Sequence, residues 1–116
     1  MTLNEYQNHA LETSKYPEEY KVIFPALGMN GEAGEVAEKV KKVIRDIVIV
    51  RDSNGSILVP ENVRESLAKE IGDVLWYVAI MAFDLGYSLE EIAKMNCDKL
   101  NSRKQRGVIS GDGDNR

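Results

Sequence analysis

Two pairs of carboxylates, Glu32 with Glu35 and Glu70 with Asp73, are each spaced three residues apart in stretches that read as helix. Residues at that spacing share one helix face. Both pairs adjoin apolar positions, Val36 on one side and Ile71 and Val74 on the other, so they lie at the rim of a core. If the two helices pack against each other, four carboxylates converge. Like charges in a partly desolvated pocket repel and tend to protonate. A hard divalent cation with a preference for oxygen ligands resolves the conflict, and Mg²⁺ or Mn²⁺ is the natural choice. Glu38, three residues beyond Glu35, either joins this group or faces water.

Cations and an amide continue the pattern. Glu32, Glu35, Lys39 and Lys42 follow one face of the same helix, and Ile92, Asn96, Lys99 and Arg103 follow one face of a later helix. An amide with two cations suits an oxyanion-rich ligand, since arginine binds phosphate through paired donors. Lys104 and Arg106 read more simply as cations favoured at a helix C-terminus. His9 is the only histidine of the chain. With no Glu-x-x-His pair, a ferritin-like di-iron site is not expected, and His9 reads as structural. Cys97, the single cysteine, makes neither an internal disulfide nor a usual zinc site and reads as a small packed hydrophobe.

Four helices are needed to position these groups. Thr2 with Glu5 forms a capping-box pattern that opens a first helix running to the break at Pro17. The second begins near Pro25 and extends to about Asp46, with Gly28, Gly31 and Gly34 near its start. Those glycines predict either close helix packing or space for a ligand. Ile47 to Val59 is rich in β-branched residues around Asp52-Ser53-Asn54-Gly55-Ser56, which predicts a small β-hairpin insert. The third helix spans about Val63 to Leu85. It is apolar on all sides from Val74 to Phe83, as a helix buried all round is. A four-helix protomer cannot surround that segment by itself, so self-association through it is expected. Trp76 and Tyr77 within it read as core. Ser88 with Glu91 opens the fourth helix, which ends near Arg106. The expected architecture is all-α, a four-helix bundle-like protomer assembling into an oligomer. The main domain covers 1–106, and 107–116 form a tail that is mobile or folds over the site. Gly111-Asp112-Gly113-Asp114 is too short for a calcium loop.

The 116 residues carry 15 Lys and Arg against 19 Asp and Glu, a net charge of −4. That balance argues against a protein that coats nucleic acid through phosphate contacts. The longest apolar run is about half of the ~20 residues a membrane span requires. Met1 to Ala10 lacks the charged and apolar regions of a secretory signal. A cytoplasmic protein without membrane or nucleic-acid partners is expected.

Gly31-Glu32-Ala33-Gly34-Glu35-Val36-Ala37-Glu38, followed by Glu70-Ile71-Gly72-Asp73-Val74-Leu75-Trp76-Tyr77, resembles the ExxE and ExxD signature of the MazG-like all-α nucleoside triphosphate pyrophosphohydrolases. Asn96-x-x-Lys99-Leu100-x-x-Arg103 fits the same pattern, as do the opening Tyr6-Gln7 and the closing Gly-Asp-Asn-Arg. The hairpin departs from the family's plainest form, in which that connection is a simple loop. The resemblance implies a homodimer or homotetramer with Mg²⁺ held by Glu32, Glu35, Glu70 and Asp73. It implies hydrolysis of a nucleoside triphosphate between the α and β phosphates, giving a monophosphate and pyrophosphate in nucleotide-pool house-cleaning. Glu35 and Glu38 are both candidates for the base that takes a proton from water. Lys39, Lys99 and Arg103 are candidate phosphate ligands, and Asn96 a ligand of phosphate or sugar. The alternatives are a phosphoribosyl-ATP pyrophosphohydrolase, and a non-catalytic helical oligomer that binds nucleotide or a partner.

Overall fold

The computed structural model describes residues 1–46 and 49–116. Its helices are α1 (Leu3–Thr13), α2 (Ile23–Arg45), α3 (Glu61–Asp84) and α4 (Leu89–Gln105), with one 3₁₀ turn at Glu18–Tyr20. Strands β1 (Val50–Arg51) and β2 (Ile57–Leu58) pair antiparallel between α2 and α3. The expected hairpin is therefore present, although Ile47 and Val48 lie outside the described residues. Its turn is organised by Asp52, whose carboxylate accepts the N–H groups of Asn54 and Ser56 at 2.8 and 3.0 Å. Ile49, Ile57 and Val59 line one apolar groove with Val40 and Val43 of α2 and Val63 and Leu67 of α3.

Local chemistry explains the helix ends. Thr2 and Ser88 each close a reciprocal capping box, with Glu5 and Glu91, which satisfies two otherwise orphaned N–H groups per helix. α3 and α4 both end in a left-handed glycine, Gly86 at φ 81° and Gly107 at φ 69°. At each, the following residue donates back to the last turn, Tyr87 to Ala82 and Val108 to Arg103, a Schellman closure. α2 starts two residues before the expected Pro25, and α3 starts at Glu61 rather than Val63. Pro25 fits a first turn because its missing N–H would have no intrahelical partner there, and it is fully buried.

The entry into α2 is less ordinary. Val22 adopts φ 68° and ψ −48°, and Ile23 N donates to the Lys21 carbonyl at 2.7 Å. This is a γ-turn of the rare, strained hand, at a β-branched residue for which positive φ is unfavourable. Asp84 at the end of α3 holds it. One carboxylate oxygen accepts both the Val22 N–H at 2.8 Å and the Tyr16 hydroxyl at 2.7 Å. Burial, and then that hydrogen bond, pushes the Tyr16 hydroxyl pKa well above its usual range.

Ala10, Ala79, Ile80, Ala82 and Leu89 form the buried apolar core, with Tyr6, Leu11, Trp76 and Ile92 packed around it. α1 is fastened to this core by Gln7, a buried side chain that uses both ends of its amide. Its nitrogen donates to the carbonyls of Ala79 and Tyr87, both at 3.1 Å, and its oxygen accepts the Leu89 N–H at 3.0 Å. Trp76 and Tyr77 are packing residues, as expected. The Trp76 indole donates to Thr13 at 2.9 Å, and the two rings meet edge to face at 4.9 Å.

α2 and α3 form the most extensive packing pair. Of the three glycines near the start of α2, Gly28 is the one set by close approach. A Cβ there would lie 2.1 Å from Tyr77 Cε1, whereas a Cβ at Gly31 or Gly34 meets nothing. Gly28→Ala is expected to lower stability by about 1–2 kcal/mol. Overpacking of up to ~3 kcal/mol is offset in part by the ~1 kcal/mol helix preference of alanine. Urea unfolding of the single variant and of Gly28→Ala/Tyr77→Ala checks this. The Gly28 penalty should nearly vanish once the ring is gone.

Candidate active site

Gly28 meets Tyr77, Glu32 lies near Asp73, and Lys39 donates to Ser66. As residue number rises along α2 it falls by the same amount along α3. The two helices therefore run antiparallel, in register over about three turns. That register brings the carboxylates together. Glu32, Glu70 and Asp73 each offer one oxygen, and these oxygens all lie within 4.8 Å of one another. Glu32 and Glu70 are half-buried and Asp73 is exposed. Three hard anionic oxygens at this spacing could hold a divalent cation of the kind that prefers oxygen ligands.

Glu35 stands opposite Glu70 in the same register but is exposed and is not part of the cluster. Among the described residues it makes no hydrogen bond or ion pair. Glu38 is paired with Lys41 and Lys42. The Lys41 hydrogen bond in particular holds the Glu38 carboxyl below its ordinary pKa, which lowers its basicity. Lys39, expected at a phosphate, lies on Glu70 instead, with Nζ 3.0 Å from Oε1, and it donates to Ser66 Oγ at 2.7 Å. Sequence reasoning overlooked Ser66. The available signal was its position four residues before Glu70, on the same face of α3.

α4 packs on α1 and α3, and no described hydrogen bond or ion pair links Asn96, Lys99 or Arg103 to Glu32, Glu70 or Asp73. Asn96 and Lys99 line a shallow depression with Ile92 and Met95. Arg103 is buried, at 7% exposure, beneath residues 107–116, which fold back onto α4. Its Nη2 donates to the carbonyl oxygens of Asp114 and Gly113 at 2.9 and 3.3 Å, while its Nε is buried without a partner among the described residues. Arg116 donates to the carbonyls of Gly113, Ile109 and Val108, and Arg106 donates to the Arg116 carbonyl. Lys99 lies 3.5 Å from the Asp114 carboxylate. Chiefly through Lys99, and then through Arg103, that carboxyl is held below its ordinary pKa. Cys97, expected to pack as a small hydrophobe, is exposed and lines an open depression with Leu3 and Asn4 of α1. His9 is also exposed, 3.6 Å from Glu12.

A sequence model of the MazG nucleotide pyrophosphohydrolase domain matches residues 26–108, which hold all four expected carboxylate ligands and the α4 stripe. The chain belongs to this family. It is also similar to the Gene 37 protein of Mycobacterium phage L5, at 41% identity over 122 residues and the full length of both chains. No solved structure matches.

Proposed function

We propose that this protein is a divalent-metal-dependent nucleoside triphosphate pyrophosphohydrolase that cleaves between the α and β phosphates, releasing a monophosphate and pyrophosphate. The observation carrying this reading is the convergence of Glu32, Glu70 and Asp73 across the α2–α3 register, in a chain of the MazG family. Glu32, Glu70 and Asp73 would hold Mg²⁺, with Glu35 facing the same space from one turn along α2. A bound divalent cation neutralises phosphate charge and lowers the pKa of bound water. Glu35, without a cation partner, is better suited to accept the proton of attacking water than Glu38, which two lysines restrain. Lys39 lies beside the cluster, where it can meet a phosphate oxygen. Asn96, Lys99 and Arg103 would contribute phosphate and sugar contacts from α4. Deoxynucleoside or non-canonical triphosphates are the substrate class this reading favours, in nucleotide-pool house-cleaning in the cytoplasm.

The same reading includes a homo-oligomer. The protomer exposes 8516 Å², against roughly 6,300 Å² for a globular monomer of its mass. Its radius of gyration is 17.6 Å, against about 13 Å for a compact chain of this length. Ile71, Leu75 and Phe83 on α3 and Leu27 and Ile44 on α2 remain exposed. An excess of about 2,200 Å² per protomer is of the order an obligate homodimer buries. No helix among the described residues is long and apolar enough to cross a membrane.

Product analysis on a panel of nucleoside triphosphates, with and without Mg²⁺, tests the reaction. Pyrophosphate and a monophosphate, formed only with metal, are expected. Orthophosphate with a diphosphate would overturn the bond assignment. Turnover of phosphoribosyl-ATP alone would move the chain to histidine-pathway chemistry. Sedimentation equilibrium should show at least a dimer.

A further inference from the structure

Lys39 occupies a position that phosphate binding alone does not explain. Its ammonium lies 3.0 Å from Glu70 Oε1 and 2.7 Å from Ser66 Oγ, with only 34% of the Lys39 side chain and 17% of the Glu70 side chain exposed. Glu70 is at the same time one of the three carboxylates whose oxygens lie within 4.8 Å of one another. The anionic oxygens that would receive a divalent cation are thus already partly compensated by a cation of the chain itself, tethered on α2 and fixed by a hydroxyl of α3. We propose that Lys39 is a positioning residue that competes with the divalent cation for Glu70 and thereby couples metal uptake to triphosphate binding.

This inference rests on the metal-dependent reading above. Whichever Glu70 oxygen a cation takes, an ammonium a few ångströms away opposes it, because charges of one sign repel strongly where water is partly excluded. A triphosphate removes the opposition by giving the ammonium a second anion. Lys39 then leaves Glu70 for a phosphate oxygen, and the carboxylate turns wholly to the metal. Metal and triphosphate thereby favour each other's binding, a coupling that is reciprocal by thermodynamic necessity. Ser66 limits the reach of the ammonium, so that the exchange needs only a short movement at the end of a flexible side chain.

Calorimetric titration of MnCl₂ into the full chain, without nucleotide, tests the proposal on the wild type, Lys39→Met and Lys39→Arg. Lys39→Met is expected to bind Mn²⁺ about tenfold more tightly than the wild type, while Lys39→Arg, which keeps the charge, stays within about threefold of it. A purely structural or purely phosphate-binding lysine would leave Mn²⁺ affinity unchanged or lower it. That result in Lys39→Met, with unaltered circular dichroism, overturns the proposal. Lys39→Gln, closer in polarity, serves if the methionine variant loses its fold. If neither the wild type nor Lys39→Met binds Mn²⁺, the metal-dependent reading itself fails, and this inference fails with it.

Discussion

Glu70→Gln is expected to reduce metal-dependent triphosphate turnover by about a thousandfold, equivalent to roughly 4 kcal/mol of transition-state stabilisation, with the fold intact. The substitution keeps the side chain's shape and replaces an anionic oxygen with a neutral amide. One of three hard ligands is lost from a group whose oxygens all lie within 4.8 Å. Stability should change by less than about 1 kcal/mol, because the glutamine amide oxygen can still accept from the Lys39 ammonium, which also keeps Ser66 as a partner. Relief of repulsion among Glu32, Glu70 and Asp73 works in the opposite direction. Steady-state pyrophosphate release at saturating Mg²⁺, with a thermal melt of the same sample, checks both halves. Near-wild-type turnover would remove Glu70 from the metal site, and a collapsed melt would make it structural. Glu35→Gln separates the second role. It should lower kcat by at least a hundredfold, as loss of a general base does, while Mn²⁺ affinity changes little.

The largest expected effect on stability falls on Gln7, which is not a member of that cluster. Gln7→Ala removes three hydrogen bonds at 3.0 to 3.1 Å and leaves buried groups of Ala79, Tyr87 and Leu89 facing a small cavity. A buried polar group left unpaired costs about 1–3 kcal/mol. Water entering the space satisfies some of them, so a net loss of about 4 kcal/mol is expected. That is a large part of the 5–15 kcal/mol typical of a domain. Gln7→Glu, which keeps the shape but loses the donor and buries a charge, should be no better. Chemical denaturation of both variants tests this. A loss below 1 kcal/mol would mean that α1 is held by packing alone.

The fold was legible where its causes are local. Both capping boxes appear where Thr2 with Glu5 and Ser88 with Glu91 placed them. The hairpin pairs where Asp52 to Ser56 indicated a turn. The approach of Glu32 to Glu70 and Asp73 was legible for a related reason, since i, i+3 spacing on two antiparallel helices leaves few ways to arrange them, whereas Glu35, expected as a fourth member, stays outside the cluster. Gln7 gave no chemical signal, because a glutamine on a short helix looks the same whether it meets water or three backbone groups from another part of the chain. Asp84 is similar, with its partners Tyr16 and Val22 far away in sequence. The partners of Lys39 and Arg103 within the chain carried no signal in the sequence, for one shared reason. Cations on an apolar stripe suggest an anion, but the sequence did not say that the anion would be Glu70, or that Arg103 would lie under the backbone of residues 107–116.

The γ-turn at Val22 makes α2 a lever whose fulcrum lies outside the active site. Glu32 is ten residues along the helix from that turn, about 15 Å at 1.5 Å per residue. A tilt of only ~5° at the fulcrum would displace the Glu32 carboxylate by roughly 1.3 Å, and misplacement of about 1 Å at a reacting centre can cost a hundredfold in rate. The Asp84 carboxylate, by fixing the Val22 amide, therefore sets the angle at which the Glu32 carboxylate reaches Glu70 and Asp73. Substitutions at Tyr16, Val22 or Asp84 would detune the chemistry without touching any residue that performs it.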